Sequence, residues 1–438
     1  MRYSRHMKTP SHSLRRSWGA ALLGPFLAAT AALSSAAPPQ AEIQQQPPPA
    51  TRSKKGLQVQ LVDDALELGI QHAAINVQLG HLLRPLTDEQ PINSERGERE
   101  VAPGWALDAA RLEGLDRQVA PLAKAGVELN FILLARATNS PAIDALQFDP
   151  RYDPAAPNRL GAFRVLDDAG RTYFRAIVGA LSQRYGADSR IGRVRGWIVG
   201  NEVNSHHWWY NLGGASVDEV VRCYEPAVRI VHEAVVDNDP DGRVYLSLEH
   251  HWNARFAAGD ATQACPGRDL LDRFAALARE RGDFPWHVAF HPYPENLFDC
   301  RFWDDKTALP SADSPRVTFK NLSVLTDYLG RDELQFDGLA RRVILSEQGF
   351  HCPNVGGERV QALAFARAWK IVEGLDGIDA FIYHRHVDHG GEGGLRFGLW
   401  DRKPDTVCEP GSARLIREVF RVCDQPDGAA RMRALLQE

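Results

Sequence analysis

From residue 56 onward, short apolar runs alternate with stretches whose apolar positions recur at helical spacing. The runs are GLQVQL (56–61), HAAINVQL (72–79), VELNFILLA (127–135), VRGWIVG (194–200), RVYLSLEH (243–250), WHVAFHP (286–292), RRVILSEQ (341–348) and DAFIYHRH (379–386). Between them the pattern predicts a short helix over VDDALELG and longer ones over 107–125, 172–185, 217–236, 270–282 and 358–372. Most of the runs are continuously apolar rather than alternating. That is the pattern of strands covered on both faces, as in a parallel sheet with helices outside. Eight strand–helix units in succession predict a closed (β/α)8 barrel. The first strand is the weakest of the eight, and RVTFKN (316–321) is the alternative that would restore the number. An open doubly wound sheet is the competing architecture, but no G-x-G-x-x-G follows any of the runs. Residues 405–438 follow the last unit and read as a helical tail packed outside the barrel.

The residues before 56 follow other rules. Arg2, Arg5, Lys8, Arg15 and Arg16 precede an apolar stretch from Trp18 to Leu33, and SSAA (34–37) offers small residues for cleavage. This predicts a bacterial secretory signal peptide over 1–36, followed by a disordered Pro/Gln-rich linker over 37–55 and one catalytic domain over 56–438. The protein is therefore expected outside the cytoplasm, in the periplasm or medium. No later segment is long and apolar enough to span a bilayer. Of 51 Lys+Arg and 56 Asp+Glu, cleavage removes five basic residues and no acidic ones, taking the formal charge from −5 to −10. Such a surface argues against nucleic acid or anionic lipid as a partner. Six cysteines (223, 265, 300, 352, 408 and 423) contain no C-x-x-C, so disulfides between loops are expected in preference to a structural zinc site. Oligomeric state is left open by the sequence.

Polar residues gather where the runs end. The fourth closes on Asn201-Glu202, the fifth on Glu249-His250-His251, the sixth on His291-Pro292-Tyr293, the seventh on Glu347 and the eighth on His384 and His386. In a barrel these ends share the face that carries active sites. Two carboxyl groups delivered there can cleave a glycosidic bond: one protonates the leaving oxygen, and the other attacks the anomeric carbon or activates a water. Aromatic residues after Glu202, namely Trp208 and Trp209, suit the apolar faces of sugar rings. Trp252, Trp303 and Trp400 are further candidates for that role.

WIVGNE and VILSEQGF, whose glutamates are 145 residues apart, resemble the clan of retaining glycoside hydrolases built on (β/α)8 barrels. The resemblance implies that Glu202 is the acid/base, that Glu347 is the nucleophile, and that Asn201 binds the sugar hydroxyl beside the anomeric carbon. It places His291 and Tyr293 where that clan sets an aromatic near the nucleophile. His250, His384 and Trp400 complete the expected carbohydrate site, with Trp400 standing in for a strand-eight tryptophan. Over the whole chain, HPYPENLF, ILSEQGFH and HRHVDH resemble a family of exported bacterial barrel proteins of unknown function, which brings no activity with it.

Other readings compete at each position. Glu249 reads as a structural acid behind the site. A carbohydrate-binding barrel without catalysis would keep the aromatics. His384, His386 and His389 form H-x-H-x-x-H, a set that could hold zinc for a metal-dependent hydrolase; hydrogen bonding to sugar hydroxyls or to Glu347 is the preferred role, and no cofactor or metal is expected. The glycine-rich HVDHGGEGGLRFGLW (386–400) lacks a P-loop lysine and reads as a mobile loop over the site.

Overall fold

The computed structural model describes residues 53–256, 260–354 and 357–437. The expected signal peptide, and the expected linker apart from its last three residues, lie outside them. Eight parallel strands close on themselves: β1 (Lys55–Gln58), β2 (His72–Gln78), β3 (Glu128–Arg136), β4 (Val194–Val199), β5 (Arg243–Glu249), β6 (Trp286–His291), β7 (Val343–Leu345) and β8 (Ile378–Tyr383). Each pairs with its neighbours in sequence order, and β1 returns to β8 with Leu57 opposite Tyr383. The fold is therefore the (β/α)8 barrel. RVTFKN is not a strand of it; Phe319–Asn321 is a turn of 3-10 helix.

The continuous apolar runs follow from two separate cores. On β3 and β4, Ile132, Leu134 and Ile198 point inward with Ala74, Tyr245, Ala289, Ile344, Ala380 and Ile382. The alternate residues Phe131, Leu133, Trp197 and Val199 point outward to the helices. Successive side chains face opposite sides of a strand, so covering both sides makes both parities apolar. Gly196 admits the inward side chains of Asn130 and Tyr245 beside it; a methyl group there would sit 1.8 Å from Asn130 Oδ1.

The helices between the strands include α1 (Val62–Glu67), α2 (Ala109–Lys124), α3 (Asp168–Arg184), α4 (Val217–Val236), α5 (Gly267–Glu280), α6 (Ser323–Leu329) and α7 (Gly357–Glu373). Ser216 and Glu219 form a reciprocal capping box that starts α4 where the sequence predicts. The expected tail is different in kind. After an antiparallel hairpin, Trp400–Arg402 with Pro410–Ala413, comes α8 (Leu415–Val422), followed by α9 (Gly428–Leu436). Leu415 N–H bonds to Glu358 of α7, Arg417 pairs with Asp64 of α1, and Phe420 packs on Phe365 and Tyr383. The segment read as an outer tail thus supplies the eighth helix of the ring. The linker boundary also moves: Lys55 is a buried residue of β1 paired with Asp424, and Lys54 donates to the carbonyls of Val372 and Leu375. All six cysteines are free, five of them buried, so the expected loop disulfides are not formed. Among the described residues, no helix is long and apolar enough to cross a membrane.

Overpacking of the inner core gives a test of this account. Gly196→Ala should destabilise the fold by about 1–3 kcal/mol, read as a lower Tm by calorimetry.

Candidate active site

β4 leaves the barrel through two left-handed residues. Gly200 has φ 73°, and a side chain there would meet the Tyr210 ring at 2.8 Å. Glu202 has φ 41°, a conformation costly for a residue with a side chain. The surroundings hold it in place: Tyr224 of α4 donates to Val199 O at 2.7 Å and accepts from Ser247 N–H, and Ser247 Oγ accepts from Glu202 N–H at 2.9 Å. This turn aims Glu202 over the barrel mouth. On the other side, β7 delivers Ser346 and Glu347. Gly349 follows, where any side chain would strike His384 O, 2.2 Å away.

The two glutamates meet. One ligand atom each of Glu202, His291 and Glu347 lies within 4.8 Å of the others. His291 Nδ1 is 2.8 Å from Glu202 Oε1, and its Nε2 is 3.0 Å from Ser346 Oγ. Tyr293 donates to Glu347 Oε1 at 3.1 Å, and Gln58, the last residue of β1, donates to Glu347 Oε2 at 3.2 Å. Burial opposes ionisation of Glu347, but the His384 and His291 imidazoles, with the Gln58 and Tyr293 donors, outweigh it and hold the carboxyl below the ordinary range. Burial likewise raises Glu202, the charges of Glu249 and Glu347 add to the effect, and His291 offsets only part of it. Burial opposes charge on His291 too; Glu202, Glu347 and Glu249 prevail and raise it. The site therefore holds one carboxyl that favours its proton beside one that favours its charge.

Glu249 is tied down behind them. Its Oε1 accepts from Asn204 (2.6 Å) and Ser205 (2.8 Å), and its Oε2 from His251 N–H, with His251 Nδ1 at 2.7 Å. The His250 ring lies 4.4 Å from that of His251, tilted by 31°, and burial brings its pKa down to about 3, so it is neutral. Glu249, His250 and His251 form a second group with metal-ligand spacing, but Glu249 is already fully engaged, as are both ring nitrogens of His291 in the first group. The first group fits protein hydrogen bonding as it stands; in the second, His250 Nδ1 is buried without a hydrogen-bond partner among the described residues, 3.4 Å from Glu249 Oε2.

The expected wall residues divide. Trp209 is half-buried against the inner barrel core, and Asn201 is half-buried beside Glu202. Trp208 is half-buried, edge-on to Phe256 at 4.6 Å, and lies on the rim formed by the β4 and β5 exits. His384 donates from Nδ1 to Gln58 Oε1 at 2.7 Å. Trp400 is elsewhere: its indole donates to Asp64 at 2.9 Å and its ring lies beneath Arg417, so it anchors α8 rather than joining the glutamates. Trp252 is wholly buried, and Trp303 lies under Arg367.

The H-x-H-x-x-H segment does not converge. His386 is buried with Nε2 on Asp64 and Nδ1 facing the Gln60 and Leu61 N–H groups, while His389 accepts from Gly391 N–H. The expected alternative of a zinc site on these three histidines is corrected, because each is turned to a different partner. Sequence reading missed Gln58 and Glu392. Gln58 is a polar residue at the end of a four-residue strand, and Glu392 is the acid inside the glycine-rich loop.

Over residues 47–437 the sequence matches the DUF5722 family, described as a family of unknown function. The chain belongs to that family. No curated protein matches the sequence. Among solved structures, the chain is similar to a β-glucosidase from the hyperthermophile Pyrococcus furiosus, with a TM-score of 0.56, 14% identity and 85% of each chain covered. It is also similar to a family 39 glycoside hydrolase from the gut symbiont Bacteroides cellulosilyticus WH2, with a TM-score of 0.52 and 14% identity; 86% of this chain is covered but only 65% of that one. A glucosidase from Croceicoccus marinus gives a TM-score of 0.51, 13% identity and coverage of 87% and 69%. At such identities the likeness is one of fold.

The raised Glu202 makes a prediction about stability. A carboxyl whose folded pKa exceeds its unfolded value favours the fold below the unfolded pKa, and that advantage is lost as pH rises through the folded pKa. The Tm of Glu202→Gln relative to wild type should therefore increase from pH 4 to pH 8, as followed by calorimetry; a difference that falls over this range would contradict the assignment.

Proposed function

We propose that the protein is an exported glycoside hydrolase that works with retention of configuration on a poly- or oligosaccharide. The observation that carries this reading is the convergence of Glu202 from β4 and Glu347 from β7, with carboxylate atoms within 4.8 Å. Retaining enzymes space their carboxyl groups about 5–5.5 Å apart, and inverting enzymes about 6.5–9.5 Å to admit a water. The fold shared with glycosidases supports the same class, and the basic, apolar and small-residue N-terminal segment supports export.

In the first step Glu202 gives its proton to the glycosidic oxygen as that bond to the anomeric carbon breaks. Glu347 Oε attacks the same carbon from the opposite face, giving a glycosyl ester and a free alcohol. Glu202, now a carboxylate beside His291, takes a proton from water, which attacks the anomeric carbon and releases Glu347. Each glutamate ends as it began. The opposite pKa directions fit these roles: the acid needs its proton at working pH and the nucleophile must lack one. In this reading Asn201, Trp208, Trp209, His250 and His384 are the residues assigned to bind the sugar.

A screen of polysaccharides and aryl glycosides, run on wild type beside Glu347→Gln, tests the reading. Glu347→Gln should lower turnover by at least about 10⁴-fold while retaining the wild-type circular dichroism spectrum. Glu202→Ala should lose about 10²–10⁴-fold on substrates with poor leaving groups and far less on dinitrophenyl glycosides, which need no acid. Undiminished activity in Glu347→Gln would end the mechanism. Glycan binding without turnover in wild type would make the protein a carbohydrate-binding barrel.

A further inference from the structure

The glycine-rich exit of β8, expected to be a mobile cover, turns an acid inward. Glu392 accepts from His384 Nε2 at 3.3 Å and pairs with Arg385. The other ring nitrogen of His384 faces Gln58 Oε1 at 2.7 Å. Gln58 Nε2 then donates to Glu347 Oε2 and to Ser346 O, each at 3.2 Å. Four side chains from three strand exits thus form one line, Glu392–His384–Gln58–Glu347.

The ends of this line set the direction of every bond within it. An ionised Glu347 only accepts, so Gln58 must present its NH₂ group to it and its carbonyl oxygen to His384. That oxygen only accepts, so His384 Nδ1 carries a proton. Ionised Glu392 also only accepts, so Nε2 carries one as well. An imidazolium satisfies both neighbours, and neither neutral tautomer does.

We propose that Glu392 is a positioning residue for Glu347: it holds His384 as a cation, which locks the Gln58 amide and places a positive charge beside the nucleophile. The role as nucleophile rests on the hydrolase reading; the arrangement of protons does not. The charged and titratable groups around His384 are Glu392, Arg385 and His389 on its own exit, Glu347 on that of β7, and Tyr293 of the β6 exit, which bonds to Glu347 and feels the charge of Glu392. The Phe397 ring, 6.3 Å away, covers another side of the imidazole. Burial opposes ionisation of Glu392, and His384 and Arg385 overcome it, so the acid remains available as the counter-charge.

Glu392→Gln removes the counter-charge and keeps the shape. In protein labelled with ¹⁵N-histidine, with His384 identified by the signal lost in His384→Gln, wild type should show both ring nitrogens protonated at pH 7. In Glu392→Gln that state should give way to a neutral tautomer at lower pH than in wild type. On an aryl glycoside that wild type turns over, Glu392→Gln should lose about tenfold in kcat at pH 7.5 with KM nearly unchanged. At pH 5.5 kcat should recover to within about threefold of wild type. Glu392→Asp, which keeps the charge, should recover most of the activity at both pH values. A neutral His384 in wild type at pH 7, or a kcat loss equal at both pH values, would overturn the proposal. If wild type turns over no glycoside at all, it is the hydrolase reading that fails, and the nitrogen spectra still decide the proton arrangement.

Discussion

Four carboxyl groups sit at one end of an apolar barrel, and the cost of taking charge out of water governs what surrounds them. Each buried carboxylate must find donors or keep its proton. Glu249 takes three hydrogen-bond donors besides the His251 ring, with Arg316 against the far side of that ring. Glu347 has Tyr293 and Gln58, with two imidazoles near. Glu392 has His384 and Arg385. Glu202 has the His291 ring, which it shares with Ser346. The number and charge of donors thus separate the groups, and the carboxyl with the weakest support is the one that favours its proton. The division into one carboxyl that favours its proton and one that favours its charge arises from partners placed at different strand exits.

The barrel makes such placement possible because its strand exits are both rigid and convergent. Pairing on two sides and apolar packing on two faces immobilise each strand, so the residue just beyond its last hydrogen bond emerges at a fixed point. The strained backbone of Glu202 is affordable there, held by Tyr224 and Ser247. Closure matters in the same way. β1 has only four residues, yet it joins β8 to β2 and ends in the amide that faces Glu347. α8 and the turn after it lock that seam, through Arg417 on Asp64 and Asp424 on Lys55.

Much of the barrel could be read from the chain, because covering both faces of a strand leaves an unbroken apolar run and each helix carries its own periodicity. The pairing of Glu202 with Glu347 was legible for a related reason: both stand at the second polar position after such a run, behind Asn201 and Ser346. The errors share a cause. Trp400 looked like a sugar platform because tryptophan suits one, but its neighbours Asp64 and Arg417 come from segments more than 300 residues and 17 residues away. The H-x-H-x-x-H spacing suggested a common ligand, and the chain instead turns its three rings to three partners. α8 was taken for a tail because a long hairpin separates it from β8, and only Glu358 and Asp64 on its two flanks reveal its place in the ring.

The sequence alone determined the succession of strands and helices and the two acids at the ends of the fourth and seventh strands, since periodicity and a polar residue closing an apolar run are local properties. The tertiary structure decided which acid favours its proton, which histidines face the site, and that Gln58 and Glu392 belong to it. Those outcomes depend on burial and on donors brought together from distant strands, and distances of that kind exist only once the barrel has closed.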